Sequence, residues 1–139
     1  MKEHCFTYGT LMCEDIMEEV TGCRHMAEPA VLKGFRRFAV RGELYPGIIP
    51  REDGNVPGVI YRDVSPNAWH RLDEFEGELY ERRKVEIILP GGGSLWAGTY
   101  VVRPKFVSRL APVDWQFEEF LKTGKSVFRK SYKGYGGIG

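Results

Sequence analysis

Two features of this sequence have residue types and spacing that could do chemistry: a glutamate at the end of a predicted helix, and a glycine turn near the N-terminus. On a helical wheel at about 100° per residue with Trp69 at zero, Leu72 falls at about 300°, Phe75 at about 240° and Ala68 at about 260°. Glu76 falls at about 340°, between Trp69 and Leu72, whereas Asp73 and Glu74 fall near about 40° and 140°, away from the apolar centre. Glu76 also sits in the last turn before Gly77, where the helix dipole places partial negative charge. The dipole and burial both disfavour the ionised carboxylate and push its pKa upward. A glutamate shifted in this way becomes an acid/base usable near neutral pH. The same spacing also fits a glutamate that reaches solvent or pairs with Arg82 or Arg83.

The second feature is the run Tyr8, Gly9, Thr10 and Leu11. A strand that breaks at a glycine and leads into a helix exposes consecutive backbone N–H groups. These can hold a carboxylate or an oxyanion. A plain strand-to-helix turn has the same appearance. Taken together, an anion cradle and an acid/base glutamate describe a small-molecule acyl-transfer site.

The elements that must position these groups follow from the pattern. Residues 3–8 (EHCFTY) read as a first strand that stops at Gly9. Residues 13–20 carry Ile16, Met17 and Val20 at helical spacing, and Gly22 ends that helix. From Ala30 to Tyr61, AVLKG, FRRFAVRG, ELYPGIIP and PGVIYRDV read as short β runs separated by Gly, Pro and an EDGN turn at residues 52–55. Pro29, Pro46, Pro50 and Pro57 forbid a long helix there, so a meander or barrel wall is expected. Ser65 and Pro66 are a helix start, a capping hydroxyl followed by proline at the first helical position. LYERRKVEIIL and LWAGTYVVR read as strands joined by the PGGGS loop. Residues 114–121 form a short amphipathic helix with Trp115, Phe117, Phe120 and Leu121. The rest, with Lys122, Lys125, Arg129, Lys130 and Lys133 and a GYGGIG end, reads as a loosely ordered tail. Phe128, Tyr132 and Tyr135 are its possible anchors, and a flap over a neighbouring pocket or partner subunit is the functional alternative. One domain over residues 1–122 and a basic, Gly-rich tail over 123–139 are expected.

Composition narrows the class. The 139 residues, with 42% hydrophobic and 28% charged side chains, are of one-domain length and globular composition. Twenty basic against nineteen acidic residues give a net charge of +1, which argues against a dedicated nucleic-acid binder. No apolar run approaches the ~20 residues that span a bilayer, and no signal-peptide layout opens the chain, so a cytoplasmic location and no membrane partner are expected. Cys5, Cys13 and Cys23 show no CxxC spacing and read as reduced thiols, with Cys13 of some interest because it lies near a helix start. His4, His25 and His70 are scattered, so no metal site is expected. TGKS at residues 123–126 fails as a phosphate loop because Glu119 stands where a glycine is required. KGFRRFAV at residues 33–40 fails as an RNA-binding strand because Arg36 replaces the small residue it needs. GGGS at residues 91–94 reads as a hairpin loop, and no serine sits in a GxSxG elbow.

FTYGTLM, YPGIIP, PGVIY, WHRLDEFEGELYERRKVEI and AGTYVV follow one another in order. In these runs, over residues 4–103, the chain resembles the gamma-glutamylcyclotransferase-like superfamily, in its AIG2-like (gamma-glutamylamine cyclotransferase-like) branch. The resemblance implies an α+β fold, a small mixed β-barrel flanked by short helices. It implies a γ-glutamyl amine or short γ-glutamyl peptide as substrate. The substrate's own α-amine attacks its γ-carbonyl, closes a 5-oxoproline ring and expels the amine, with no cofactor. By this resemblance the catalytic glutamate is Glu76, the position the wheel turns inward independently. Tyr8, Gly9, Thr10 and Leu11 hold the glutamyl head, and Tyr80 is a wall or hydrogen-bond donor. Tyr45, Tyr100 or the tail would line the leaving-group side. The rival expectation is a non-catalytic module that binds a small metabolite in the same cavity. The oligomeric expectation is a monomer or weak dimer.

Overall fold

The computed structural model describes residues 2–131. Tyr132, Lys133, Tyr135 and the GYGGIG end therefore lie outside the described residues. Five strands form a closed barrel in the order β1-β3-β2-β4-β5. They are β1 (Glu3–Thr7), β2 (Ala27–Ala39), β3 (Pro46–Val64), β4 (Tyr80–Ile88) and β5 (Ser94–Val102). All pairs run antiparallel except the seam, where β1 meets β5 in parallel at Cys5 and Gly98, which makes the barrel mixed. The seam is tight: a Cβ on Gly98 would stand 2.7 Å from the Trp69 ring, so only glycine lets α2 (Pro66–Glu76) lie this close. The Trp69 indole also donates to the Glu3 carbonyl at 3.2 Å, tying α2 to the first strand.

Alternation of side chains along the strands separates two apolar clusters. Phe6, Leu32, Ile48, Ile60, Ile87 and Val101, drawn from all five strands, fill one. Cys5, on the opposite face of β1 from Phe6, joins Tyr61 and Val64 beneath Ile16 and Val20 of α1 (Glu14–Thr21) and Leu72 of α2 in the other. Helical spacing placed those helix residues correctly. Burial pushes the Cys5 thiol up, so it is a structural thiol. Cys13 caps α1 and is buried as well.

Two expectations are corrected. Residues 27–64 form two long strands of 13 and 19 residues, where the sequence suggests a meander of short runs. The EDGN segment is no strand-ending turn. Lys33 pairs with Asn55 and Phe35 with Pro50, so residues 51–54 bulge out within one continuous β3. The second correction concerns the C-terminal helix, expected to stop at Leu121. It runs on through a π-helical turn at Phe120–Gly124 into α4 (Lys125–Ser131), after a single turn of α3 (Phe117–Glu119). Phe128 is 1% exposed and stacks edge-on against Phe120 and Phe75, and Lys125 pairs with Asp15 of α1 at 2.9 Å. The expectation of a loosely ordered tail from Lys122 therefore fails as far as Ser131. No helix among the described residues is long and apolar enough to cross a membrane.

Candidate active site

The C-terminal end of α2 and the turn after β1 meet at one cavity. The position of Glu76 is set by its helix. Ser65 accepts a hydrogen bond from the Ala68 N–H at 3.2 Å and Pro66 opens the first turn, which fixes where α2 begins. Ala68, Trp69 and Leu72 are buried, which fixes its rotation, and Gly77 ends it one residue after Glu76.

The turn is positioned from three sides. A Cβ on Gly9 would stand 2.7 Å from both Cγ and Cδ of Pro46, so glycine is required here for close approach; its φ of −134° is available to any residue. Thr10, Leu11 and Met12 form one 3-10 turn, with the Met12 N–H on the Gly9 carbonyl at 2.9 Å and Cys13 N–H on Thr10 at 3.1 Å. The Tyr61 hydroxyl donates to the Leu11 carbonyl at 2.7 Å. No acceptor for the N–H groups of Gly9, Thr10 and Leu11 occurs among the described residues.

The cavity itself is about 80 Å³. At roughly 10–15 Å³ per water, that is room for about five to eight water-sized groups. Tyr8, Gly9, Thr10, Leu11, Glu76 and Tyr80 all line it, so the structure brings together every site residue expected from the sequence. Tyr45 and Tyr100, expected on the leaving-group side, line it too. Phe6, Thr7, Pro46, Phe75 and Phe128 complete the wall and carried no chemical signal in the sequence beyond being apolar, apart from Thr7. Phe128 enters from the C-terminal helix.

Hydrogen bonds define what each group can do. The Tyr80 hydroxyl donates to the Pro46 carbonyl at 2.6 Å, so it braces the opposite strand while its ring walls the cavity. The Tyr8 hydroxyl donates to the Tyr100 carbonyl at 2.6 Å, and burial, then the Glu76 carboxyl, hold its pKa well above the usual phenol value. The Tyr100 hydroxyl donates to Asp73 Oδ1 at 2.6 Å, and its pKa too is pushed up, chiefly by burial.

Glu76 is half-buried, and its side chain has no hydrogen-bond or ion-pair partner among the described residues. The two candidate partners are engaged elsewhere. Arg82 lies over the Trp69 ring at 4.6 Å and approaches Asp73 at 3.6 Å, and Arg83 pairs with Glu81 at 2.8 Å. Burial, reinforced by the Asp73 carboxylate, pushes the Glu76 pKa from 4.5 to about 8. The helical wheel turns Asp73 away from the apolar centre, toward solvent. It is exposed, yet it orients Tyr100 and adds a like charge that, second to burial, raises the Glu76 pKa. A carboxyl titrating near neutral pH that lines the same cavity as unpaired N–H groups can exchange protons with a bound amine beside a bound anion. Among the described residues no group of three or more His, Cys, Asp or Glu could hold a metal ion.

Residues 5–117 match the family described as "Gamma-glutamyl cyclotransferase, AIG2-like". AIG2-like protein D of Arabidopsis thaliana is 32% identical over 130 residues, covering 92% of this chain and 85% of that protein. A solution structure from Arabidopsis thaliana superposes with a TM-score of 0.74 at 27% identity, covering 96% of this chain and 81% of the other. A solved structure titled gamma-glutamyl cyclotransferase superposes with a TM-score of 0.69 over 99% of this chain and 86% of its own. At 14% identity, that last likeness speaks for the fold alone.

Proposed function

The chain belongs to the AIG2-like gamma-glutamyl cyclotransferase family, and on that premise we propose that it releases 5-oxoproline and a free amine from a γ-glutamyl amine or short γ-glutamyl peptide. The observation that carries the proposal is the placement of the half-buried Glu76, its pKa raised to about 8, on the same cavity as residues 9–11 with their unpaired N–H groups.

The chemistry follows from that pairing. The N–H groups of Gly9, Thr10 and Leu11 hold the anionic end of the glutamyl head. Tyr80, Tyr100 and Phe6 confine its methylenes, so that the α-amine lies folded toward the γ-carbonyl. Ring closure is intramolecular, and freezing this bent conformer supplies much of the acceleration. The α-ammonium must first lose a proton. A carboxyl titrating at about 8 is matched to α-amino groups, whose usual values are also ~8, so with one proton shared between the two groups its transfer from the ammonium to the Glu76 carboxylate is nearly thermoneutral. The nitrogen then bonds to the γ-carbon, and Glu76 delivers the first proton to the departing nitrogen as the old C–N bond breaks. The second proton, shed as the attacking nitrogen becomes a lactam N–H, passes through the same carboxylate to the released amine, which leaves as its ammonium ion. No water is consumed, and a small cavity walled largely by aromatic rings suits a reaction in which water would compete.

The test is incubation with a panel of γ-glutamyl amines and γ-glutamyl dipeptides, assayed for 5-oxoproline. The wild type should form it, and Glu76→Gln should lose ~10²–10⁴-fold in rate while remaining folded. Absence of 5-oxoproline across the panel, or a glutamine variant with the full rate, overturns the reading. Ligand-induced thermal stabilisation without turnover would point instead to a binding module.

A further inference from the structure

Arg37 sits in the KGFRRFAV run, whose basic residues have no role in the reading above. It lies on β2 opposite Ile48 of β3, and its side chain is 11% exposed. Every polar arm of its guanidinium is engaged. Nη1 donates to the Tyr8 carbonyl at 2.8 Å, Nε to Asp114 Oδ1 at 2.9 Å and Nη2 to Asp114 Oδ2 at 3.3 Å. The guanidinium also lies 5.4 Å from the Trp115 ring centroid, and the Trp115 indole is anchored on the Leu44 carbonyl at 2.8 Å. Arg37 does not line the cavity, whereas Tyr8 and Gly9 do.

The peptide joining Tyr8 to Gly9 is trans, as are all peptides described. In a trans peptide the carbonyl and the following N–H point in opposite directions. A carbonyl drawn toward Arg37 therefore turns the Gly9 N–H the other way. We propose that Arg37 is a positioning residue for this site: from outside the cavity it locks the Tyr8–Gly9 peptide so that the Gly9 N–H faces the anionic end of the substrate. The inference rests on the cyclotransferase reading of the site.

Two physical effects follow from the same bond. The first is orientation. A guanidinium held along its Nε–Nη2 edge by both oxygens of Asp114 and set over Trp115 loses little freedom in holding the carbonyl through Nη1, and cannot swing inward to bind the substrate itself. The second is polarisation. A charged donor on the carbonyl of a peptide withdraws electron density from its nitrogen, and chains of hydrogen bonds strengthen one another by roughly 10–30% per bond. The Gly9 N–H is thereby a better donor to an anion than a free peptide would be. The unpaired Thr10 and Leu11 N–H groups follow in register, because the turn is fixed from the Gly9 end.

The experiment is an amide NMR titration with 5-oxoproline, run beside steady-state kinetics on a γ-glutamyl amine. In the wild type the Gly9 amide proton should move downfield as 5-oxoproline is added. In Arg37→Met the movement should fall at least two-fold and KM should rise about tenfold, while the pH at which Glu76 titrates in the rate profile stays in place. A role in folding alone would lower stability and leave both KM and the Gly9 response of the folded protein unchanged, and that result overturns the proposal. Should the methionine variant not fold, Arg37→Lys keeps the stem and the charge but cannot span both Tyr8 and Asp114. The same two readouts should then move in the same direction by smaller amounts, and their failure to move overturns the proposal equally. A wild type that neither turns over substrate nor responds at Gly9 refutes the cyclotransferase reading and this inference with it. A responsive wild type with unresponsive variants refutes only the role of Arg37.

Discussion

Replacing Glu76 by glutamine should stabilise the protein, and by an amount that grows with pH. The carboxyl titrates at about 8 when folded against an ordinary 4.5. Below about pH 4.5 the folded and unfolded chains both hold the proton, and the group costs nothing. Between about 4.5 and 8 only the folded chain holds it, so stability falls as pH rises through this window. Above about pH 8 both are ionised and the folded state carries the whole cost of an enclosed carboxylate. At about 1.4 kcal/mol per pH unit the full shift corresponds to about 5 kcal/mol, of which about 4 kcal/mol falls between pH 5 and pH 9. Solvent entering the cavity screens the charge and reduces this to about 2–3 kcal/mol. Glutamine has the same shape and cannot ionise, so its unfolding free energy should gain that amount on the wild type from pH 5 to pH 9. All other groups titrate alike in both proteins and cancel in the difference. Urea unfolding at five pH values across the interval measures it directly. A difference that stays flat to within about 0.5 kcal/mol would refute the enclosure of Glu76, whatever the enzyme does.

Three further outcomes follow from the geometry. Gly9→Ala puts a methyl 2.7 Å from Pro46, so the turn must shift; 5-oxoproline formation should fall more than tenfold, with about 1–3 kcal/mol lost in urea unfolding. Asp73→Asn removes the like charge beside Glu76 and should move the rate profile's ionisation toward acid, read from kcat/KM against pH. Phe128→Ala opens the cavity wall and deletes a ring packed on Phe120 and Phe75, costing about 3–5 kcal/mol by thermal or urea unfolding.

What the sequence made legible was governed by local rules. Ser65, Pro66 and Gly77 set both ends of α2, and the spacing of Ala68, Trp69 and Leu72 set its rotation, so the inward turn of Glu76 could be read from a dozen residues. The strand, glycine turn and helix at the N-terminus were legible for the same reason. The parts that were not legible depend on residues distant in the chain. Prolines and an EDGN segment read as breaks, but pairing with β2 carries β3 across them as a bulge. Gly124 and the run of lysines read as a tail, yet Phe128 is drawn into the core and Lys125 to Asp15, 110 residues away. Asp73 looked solvated because its partner Tyr100 is 27 residues further on, and Arg37 looked idle because Tyr8 is 29 residues before it.

The parallel seam between β1 and β5 has a consequence for biogenesis. The opening strand has one lasting neighbour in β3, but its other edge waits for residues 94–102, so every strand between must be synthesised before the cylinder can seal. Contacts of such long range form late and slow the search for the native state. A nascent chain stalled ahead of Ser94 would present an unzipped edge on Glu3–Thr7, the kind of exposed template that chaperones capture and that self-association exploits.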